Sequence, residues 1–292
     1  MKIGIIGGSG LYDMEGLTDV HTQKVKTPFG EPSDEYCCAR MDGREVVFLP
    51  RHGKGHRIMP SEINHRANIF GMKLLGVERI ISISAVGSLR EELRPRDLVL
   101  PDQYFDRTKQ SQAHTFFGQG VVAHVSFAEP ACPALRAHIA AVAREGAAIA
   151  RSGRDIRVRI GGTYVNMEGP AFSTKAESQV YRGLGFDVIG MTSLAEAKLC
   201  KEAEICYQAV AMVTDYDCWH ESEGPVTVEL LIGHLLANVQ VAKDLLKEIV
   251  AQMPAKRSCG CDHALSNAII TKPEYVTEEA KRRLEPIIGK YV

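Results

Sequence analysis

Short apolar runs alternate with amphipathic stretches along the whole chain, and this alternation predicts strands separated by helices. The runs that predict strands are Lys2–Gly7, Glu35–Met41, Glu45–Pro50, Arg79–Ala85, Leu98–Leu100, Val158–Met167, Phe186–Ile189 and Ile205–Val213. Helical spacing and capping residues predict helices over Ser61–Gly76, Pro133–Glu145, Thr174–Arg182, Leu194–Glu204, Val228–Met253 and Thr277–Ile288. Strands that alternate with helices favour one α/β domain with a mixed central sheet flanked by helices.

Composition and net charge favour a small-molecule ligand over nucleic acid or a membrane surface. The 292 residues are 45% apolar with a formal net charge of -1, so nothing electrostatic favours nucleic acid or an anionic membrane surface. No apolar run approaches the roughly 20 residues of a membrane helix, and the apolar segment at the N-terminus is too short for a signal peptide. We therefore expect a small-molecule site in a cytoplasmic protein. The sequence predicts a single domain over 1–292, with a C-terminal extension from about 255, after a helix-breaking proline.

Two carboxylates follow the apolar run that ends at Val213. Asp215 and Asp217 are one residue apart there, and open α/β sheets bind ligands just beyond the carboxyl ends of their strands. If strand geometry continues through Tyr216, both side chains face the same side. Such a pair suits a ligand with adjacent hydrogen-bond donors, or one that needs a proton at a ring nitrogen. A turn is the simpler alternative, because Asp is common in turns.

Three other predicted strands end in groups that can hold an anion. The first ends in the tight turn Gly7–Gly10, which contains Ser9; the second delivers Arg51 and His52; the third leads to Ser84. Backbone N–H groups, guanidinium groups and hydroxyls bind phosphate, so these ends predict one anion site if their strands are neighbours. A structural turn and a solvated basic loop are the alternatives. The glycine fingerprint of dinucleotide-binding proteins is incomplete, which disfavours a dehydrogenase or a nucleotide-binding regulatory module.

The cysteines give a weaker signal. Eight of them are too dilute for a disulfide scaffold, and most are expected to be small core residues. The close pair Cys259 and Cys261 lies in a polar segment instead. Its spacing is not that of a redox or zinc motif, and no second Cys/His cluster with zinc-finger spacing completes a metal site. A strained or partner-linked disulfide and free thiols both remain open for this pair.

Six motifs in a fixed order carry a resemblance to a known family. They are Gly7-Gly8-Ser9-Gly10, Arg51-His52-Gly53, Ser84-Ala85-Val86-Gly87-Ser88, Glu168-Gly169-Pro170, Met191-Thr192 and Thr214-Asp215-Tyr216-Asp217-Cys218-Trp219. With them the chain resembles the trimeric purine nucleoside phosphorylases, in the branch that cleaves 5′-methylthioadenosine. The resemblance implies a purine nucleoside phosphorylase-like fold and phosphorolysis of methylthioadenosine to adenine and 5-methylthioribose 1-phosphate, in purine and methionine salvage. It also implies a homotrimer or a dimer of trimers, inorganic phosphate as co-substrate, and no metal or organic cofactor.

The same resemblance implies a role for each matched residue. The phosphate-binding residues would be Ser9, Arg51, His52, Ser84, Thr192 and Ala85, the last through its backbone N–H. The substrate-binding residues would be Met191 along the ribose, Phe172 near the base, His124 reaching a neighbouring subunit, and the base-recognising Asp215 and Asp217. Ser173 and Val228 match positions tied to the preference for adenine and for the methylthio group.

The main alternative is a purine nucleoside phosphorylase for 6-oxopurine nucleosides or methylthioinosine. A 6-oxopurine presents an acceptor at O6, which Asn meets better than a carboxylate does. A protonated Asp215, its pKa raised by the neighbouring acid, would donate to N7 while Asp217 accepts from a 6-amino group. The two acids therefore favour a 6-amino purine, with Asp215 as the catalytic acid.

Overall fold

The computed structural model describes residues 1–8, 10–11, 14–220 and 228–292, and their side chains other than those of 111 and 228–237. In these residues eleven strands form one sheet. The strands are β1 Lys2–Gly7, β2 Leu17–Gln23, β3 Tyr36–Met41, β4 Arg44–Pro50, β5 Val77–Ser88, β6 Leu98–Leu100, β7 Gln103–Arg107, β8 Val158–Ile160, β9 Thr163–Met167, β10 Val188–Gly190 and β11 Cys206–Asp215. The helices are α1 His65–Leu74, α2 Pro133–Glu145, α3 Ala147–Arg151, α4 Lys175–Gly183, α5 Ser193–Glu202, α6 Val228–Ala251 and α7 Glu278–Ile288.

The sheet is mixed, as the sequence predicts. Its main path runs β2-β3-β4-β1-β5-β10-β9-β7, while β5 also pairs with β11, which leads on to β6 and β8. The strands β4, β1, β5 and β11 are parallel neighbours. The β3–β4 hairpin turns at Asp42 and Gly43, both of which have positive φ angles of 48° and 74°. This is the backbone that a two-residue hairpin turn requires.

Two apolar layers bury the sheet from both sides. One layer contains Ile3 and Ile81 and packs against α2 and α6, while the other contains Ile6 and Ile80 and packs against α1, α5 and α7. Parallel strands covered on both faces read as unbroken apolar runs rather than as alternating ones. This explains why β1, β5 and β11 are the strands that the sequence predicts most directly.

The stretch Val158–Met167, predicted as one strand, is two strands. Gly161 and Gly162 separate them with φ angles of 84° and 117°, a conformation that side chains with a Cβ rarely adopt. The bend sends β8 to pair with β6 and β9 to pair with β7 and β10. The glycine pair therefore lets the chain pass from β8, at the end of the β11–β6–β8 branch, to β9 on the main path of the sheet.

Helix α1 starts later than predicted, and two strands carry no predictive pattern. Asn64, rather than Ser61, caps α1, since its side-chain oxygen accepts a hydrogen bond of 3.1 Å from Ala67 N. A 3₁₀ turn over Pro60–Glu62 precedes it. Strands β2 and β7 are almost wholly exposed, so their sequences show no alternation of apolar and polar residues.

The segment after α6 packs against the apolar layer that contains α1 and α5. In α7, capped by Thr277, the side chains of Leu284 and Ile287 are buried in the layer that also contains Phe70 of α1. The tail thus packs on the central domain and adds to its apolar core. Within the described residues, no helix combines the length and the apolar character needed to cross a membrane.

Candidate active site

The strand order brings the polar strand ends to one edge of the sheet. Since β4, β1, β5 and β11 are parallel neighbours, their carboxyl ends point the same way. Arg51 and His52 follow β4, Gly8 follows β1, and Asp215 ends β11. The condition for a single anion site, that these strands be neighbours, is therefore met in the fold.

Strand β5 carries Ser84 and Ala85 of the predicted anion site and then passes beside Asp215. Ala85 is exposed although Ser84 and Val86 on either side of it are buried, so the sheet opens at this position. Further along the strand, Gly87 lies beside Asp215 in the register of β5 and β11. A Cβ at Gly87 would lie 3.0 Å from Asp215 Oδ1. The glycine lets the carboxyl group lie directly against the backbone.

Arg51 is held by a buried carboxylate. Its Nε donates to Glu196 Oε1 at 2.5 Å, and its Nη2 donates to Ser82 Oγ at 2.6 Å and to Glu196 Oε2 at 3.3 Å. Its Nη1 donates to the Ile83 carbonyl at 3.2 Å. Burial raises the pKa of Glu196, but the charge and hydrogen bonds of Arg51, with smaller contributions from His65 and Ser82, lower it overall. A guanidinium has five N–H groups, so one N–H on Nη1 remains for a ligand.

His52 is held in one tautomer. Its Nδ1 lies 2.8 Å from the Ile58 carbonyl, and a carbonyl only accepts, so Nδ1 carries the proton. Burial, followed by the charge of Arg51, lowers the pKa of His52 to about 4. The ring is therefore neutral near pH 7, with a free lone pair on Nε2. The ring also stacks on His56 with centroids 4.2 Å apart. In this state His52 can accept a hydrogen bond from the hydroxyl of a phosphate monoanion or dianion.

The start of α5 adds hydroxyl groups. Thr192 is the N-cap residue and is buried, yet its side chain makes no capping hydrogen bond. The hydroxyls of Ser84, Ser193 and Tyr164 are buried without a hydrogen-bond partner among the described residues. Burial raises the pKa of Tyr164. Buried hydroxyls without partners are the groups that a bound anion can satisfy.

The acid pair does not have the geometry expected of a continuing strand. Strand β11 ends at Asp215, and Asp217 has a φ of 52°, in the left-handed region that Asp tolerates better than most residues. The backbone N–H of Asp217 donates to Asp215 Oδ1 at 2.7 Å. The two side chains are nevertheless only 7% and 8% exposed. The pair is thus a turn, as the simpler alternative has it, and also a buried acid cluster.

Burial, rather than pairing, is the main cause of the raised pKa of Asp215. The charge of Asp217 raises it further, by a smaller contribution, while the hydrogen bonds from Thr214 and from Asp217 N lower it. Burial also raises the pKa of Asp217, against hydrogen bonds with Ser178 and Ser173. Both shifts favour a protonated carboxyl group at a higher pH than an exposed Asp allows.

Thr214 can serve either protonation state of Asp215. Its Oγ1 lies 2.7 Å from Asp215 Oδ2 and 3.2 Å from the Val86 carbonyl. A threonine hydroxyl has one proton, and a carbonyl only accepts. When Asp215 is protonated, Thr214 donates to Val86 and can accept from the acid; when Asp215 is ionised, Thr214 can turn and donate to it.

The segment after β9 forms a wall beside the acids. The Ser173 carbonyl accepts a hydrogen bond of 3.3 Å from Cys218 Sγ, and the neighbouring Phe172 is 51% exposed. Met191 lies over Gly169, where a Cβ would come within 2.6 Å of its sulfur. The phenyl ring and the thioether thus supply apolar surface near the polar groups, which suits a ligand with both characters.

The three remaining predicted site residues are Ser9, Val228 and His124. Ser9 lies outside the described residues, and Val228 is described by its backbone alone. His124 is exposed, and its backbone N–H donates to the Ala268 carbonyl at 2.8 Å. Among the hydrogen bonds of the described residues, none joins the His124 side chain to the acids or to Arg51. Its predicted role requires a neighbouring subunit.

Sequence reasoning misses Glu196 and Ser193. Glu196 lies in the first turn of α5 and is 1% exposed, among buried residues that include Leu194 and Ala197. A single carboxylate on an apolar helix face needs a buried partner, and Arg51 in another motif is a candidate. This signal could have revealed the ion pair between Glu196 and Arg51. The unpaired hydroxyl of Ser193 depends on packing and leaves no such signal.

Comparisons with known proteins agree with this geometry. A family model described as the Phosphorylase superfamily matches residues 2–251. The S-methyl-5′-thioadenosine phosphorylase of Geobacter sulfurreducens is 55% identical over 290 residues, which cover 99% of each chain. A crystal structure of a methylthioadenosine phosphorylase from an antarctic soil metagenomic library has a TM-score of 0.90 and 45% identity, with 98% of each chain covered. A variant of the adenosine/methylthioadenosine phosphorylase from Schistosoma mansoni, in complex with methylthioadenosine, has a TM-score of 0.79 and 36% identity over 88% of this chain and 93% of that one.

Proposed function

The chain belongs to the phosphorylase superfamily and, within it, to the S-methyl-5′-thioadenosine phosphorylases, and from this premise we propose that it cleaves S-methyl-5′-thioadenosine with inorganic phosphate. The products are adenine and 5-methylthioribose 1-phosphate. The observation that carries the choice of base is the buried pair Asp215 and Asp217, both with raised pKa values. One acid can donate to the purine while the other accepts from its 6-amino group.

The bond between C1′ and N9 breaks with its electron pair on the base. Positive charge develops on the ribosyl ring and negative charge on the purine, so catalysis needs an anion near C1′ and an acid near the base. Phosphate near C1′ stabilises the ring and then forms the new O–C1′ bond. Asp215 gives its proton to N7 of the leaving adenine. The hydrogen phosphate dianion loses one proton as the ester forms, which balances the proton that Asp215 regains.

In this proposal, several groups at one end of the site form hydrogen bonds with phosphate. The remaining Nη1 N–H of Arg51 donates to the anion, while Glu196 fixes the guanidinium and offsets part of its charge. Neutral His52 accepts from the phosphate hydroxyl through Nε2. Ser84, Thr192 and Ser193 add hydroxyl groups to the set, and Ala85 adds its backbone N–H. We expect no metal or organic cofactor to take part.

Cleavage of alternative nucleosides tests the proposed substrate. The purified protein is incubated with phosphate and with methylthioadenosine, methylthioinosine or inosine in turn, and release of adenine or hypoxanthine is followed by chromatography. We expect methylthioadenosine to be cleaved with the highest kcat/KM. Faster cleavage of inosine or methylthioinosine would overturn the assignment in favour of a 6-oxopurine phosphorylase.

We also propose a cytoplasmic homotrimer, alone or as a dimer of trimers, in which His124 completes the methylthio pocket of the next subunit. Exposed Val122 and Ile270 lie beside His124, joined by a hydrogen bond of 2.8 Å from Ile270 N to Val122 O. Exposed apolar side chains next to a residue without a role in its own chain support an interface there. Light scattering at assay concentration is expected to give three or six chains, and a monomer would contradict an interface-built site.

A further inference from the structure

Four cysteines from three distant segments meet at the end of the sheet opposite to the acid pair. The sulfurs of Cys132, Cys206, Cys259 and Cys261 all lie within 4.8 Å of one another. The sulfurs of Cys206 and Cys259 are 3.4 Å apart, and all four thiols are free. Three of the side chains are buried and Cys259 is partly buried. The fold thus brings two further thiols to Cys259 and Cys261, whose spacing in the sequence matches no metal motif.

Rigid elements hold the first two sulfurs. Cys132 is the N-cap of α2, and its backbone N–H donates to the Tyr207 carbonyl at 2.8 Å. Cys206 is the first residue of β11. Cys259 and Cys261 flank Gly260, and Cys261 begins a short 3₁₀ turn. The cluster is thus built from a helix start, a strand start and a tight turn, each with a fixed backbone.

The spacing of the sulfurs fits a tetrahedral metal ion. A zinc ion bound to four cysteines has Zn–S distances of about 2.3 Å, which places the sulfurs about 3.8 Å apart. The observed limit of 4.8 Å requires only small side-chain rotations to reach this value. We propose that Cys132, Cys206, Cys259 and Cys261 bind one zinc ion. Four thiolate ligands leave no open coordination position, so the site is structural rather than catalytic.

Nearby groups offset the charge of such a site. A zinc ion with four thiolates carries a net charge of -2, and each thiol releases its proton to solvent when it binds. The backbone N–H of Leu135, in the first turn of α2, donates to Cys132 Sγ at 3.5 Å. Arg79, Lys256 and Arg257 line the small cavity that also contains Cys132. Positive charge and an N–H donor are the surroundings that favour thiolates.

The position of the site decides what it does. Cys206 and Asp215 are the two ends of the ten-residue strand β11, which places them roughly 30 Å apart. Zinc there is too distant to take part in the chemistry at the acids. It would instead fasten the segment around Cys259 and Cys261 to the sheet and to α2. We therefore expect zinc to affect stability far more than kcat.

Metal analysis of the full-length protein is the first test. Protein purified without chelator is examined by elemental analysis and by native mass spectrometry, and about one zinc per chain is expected. Protein produced with cobalt in place of zinc should show the visible absorption of a tetrahedral cobalt–thiolate centre. Neither measurement depends on activity, so the outcome is independent of the proposed substrate.

A matched pair of variants ties the metal to the cluster. Cys261→Ser is expected to lose nearly all bound zinc and to lower Tm. Cys38→Ser, a half-buried cysteine outside the cluster, is expected to keep its zinc. The proposal would be overturned by four reduced thiols without metal or by a mass lower by two hydrogen atoms for each disulfide. Iron in place of zinc, or full zinc content in Cys261→Ser, would overturn it as well. If Cys261→Ser does not fold, the wild-type metal content and the cobalt spectrum still decide it.

Discussion

At the scale of single residues, Asp215 is the side chain on which the proposed chemistry depends. It is buried at the end of β11, its pKa is raised chiefly by that burial, and Thr214 can accommodate it with or without a proton. An exposed Asp would be ionised at neutral pH and could not donate a proton to the base. The burial of the carboxyl group shifts it toward the protonated form that a proton donor needs.

Replacement of Asp215 by Asn tests this role. The amide keeps the size of the side chain but has no proton to transfer, so kcat for methylthioadenosine should fall by about 10²- to 10⁴-fold, the usual contribution of a general acid. Initial rates of adenine release at saturating phosphate and nucleoside measure it. Asp155→Asn, at an exposed Asp that pairs with Arg94, is the control and should leave kcat unchanged. Equal turnover in both variants would exclude Asp215 as the acid.

Replacement of Asp217 by Asn tests base recognition. The amide can present N–H groups to O6 of an oxopurine but is a poorer acceptor for a 6-amino group. We expect the ratio of kcat/KM for methylthioadenosine to that for methylthioinosine to fall roughly 10- to 100-fold, in line with the loss of a buried hydrogen bond to substrate. Both constants come from the same chromatographic assay. A ratio equal to that of wild type would show that Asp217 does not read the 6-position.

The sequence predicts both acids and their place after a strand, because an apolar run that ends in two carboxylates is visible without a fold. It gives the turn at Asp217 as the simpler of two alternatives, since a continuing strand is also compatible with alternate Asp residues. It does not predict that Glu196 forms an ion pair with Arg51. The two residues are far apart in the sequence, and their contact depends on the packing of α5 against β5 and β11.

At the scale of elements, helix α5 connects the site to the rest of the fold. Its N-cap Thr192 and its first residue Ser193 belong to the proposed phosphate site, and Glu196 in its first turn forms an ion pair with Arg51. At its last residue, Glu202 accepts hydrogen bonds of 2.7 Å from Thr115 Oγ1 and from Phe116 N. One helix therefore orients Arg51 and other proposed phosphate ligands, and it also binds the segment at Thr115 and Phe116.

The carboxyl group of Glu202 makes stability depend on pH. Burial raises its pKa to about 7 from 4.5, so the folded chain holds this proton more tightly than the unfolded chain does. The unfolded state loses the proton first as pH rises, and the stabilising contribution of Glu202 is lost between about pH 4.5 and pH 7. Below that range its contribution is fully present.

Glu202→Gln should remove this dependence. Its amide can accept from Phe116 N and donate to Thr115 Oγ1, so the contacts are kept without the ionisation. Relative to wild type, the variant should gain up to roughly 3 kcal/mol in free energy of unfolding between pH 5 and pH 8, because each pKa unit is worth about 1.4 kcal/mol. Thermal unfolding at both values measures the gain, with the exposed Glu145→Gln as control. A constant difference from wild type across the range would contradict the raised pKa.

The elements that the sequence predicts are those with a strong apolar signal. The buried strands β1, β5 and β11 and the amphipathic α2 are predicted close to their observed bounds. The exposed β2 and β7 are not, because solvent-exposed strands carry no alternation. The bend at Gly161 is visible as two glycines, but its effect on strand pairing requires the fold.

At the scale of the whole molecule, the order of the strands brings motifs that are far apart in the sequence to one edge of the sheet. The neighbouring parallel strands β4, β1, β5 and β11 align an anion-binding end with an acid pair. The sequence indicates this arrangement only through the resemblance of six motifs, since strand order is not encoded locally. The cysteine cluster illustrates the same limit, because its four thiols come from segments whose spacing matches no metal motif.

Phosphorus NMR of the reaction mixture tests the central claim most directly. Methylthioadenosine and inorganic phosphate are incubated with the protein, and the phosphate signal is followed beside adenine release. We expect adenine to appear only when phosphate is present, with loss of inorganic phosphate and gain of one sugar 1-phosphate for each adenine formed. Adenine release at the same rate without phosphate, or without a new phosphate ester, would show hydrolysis and contradict the account.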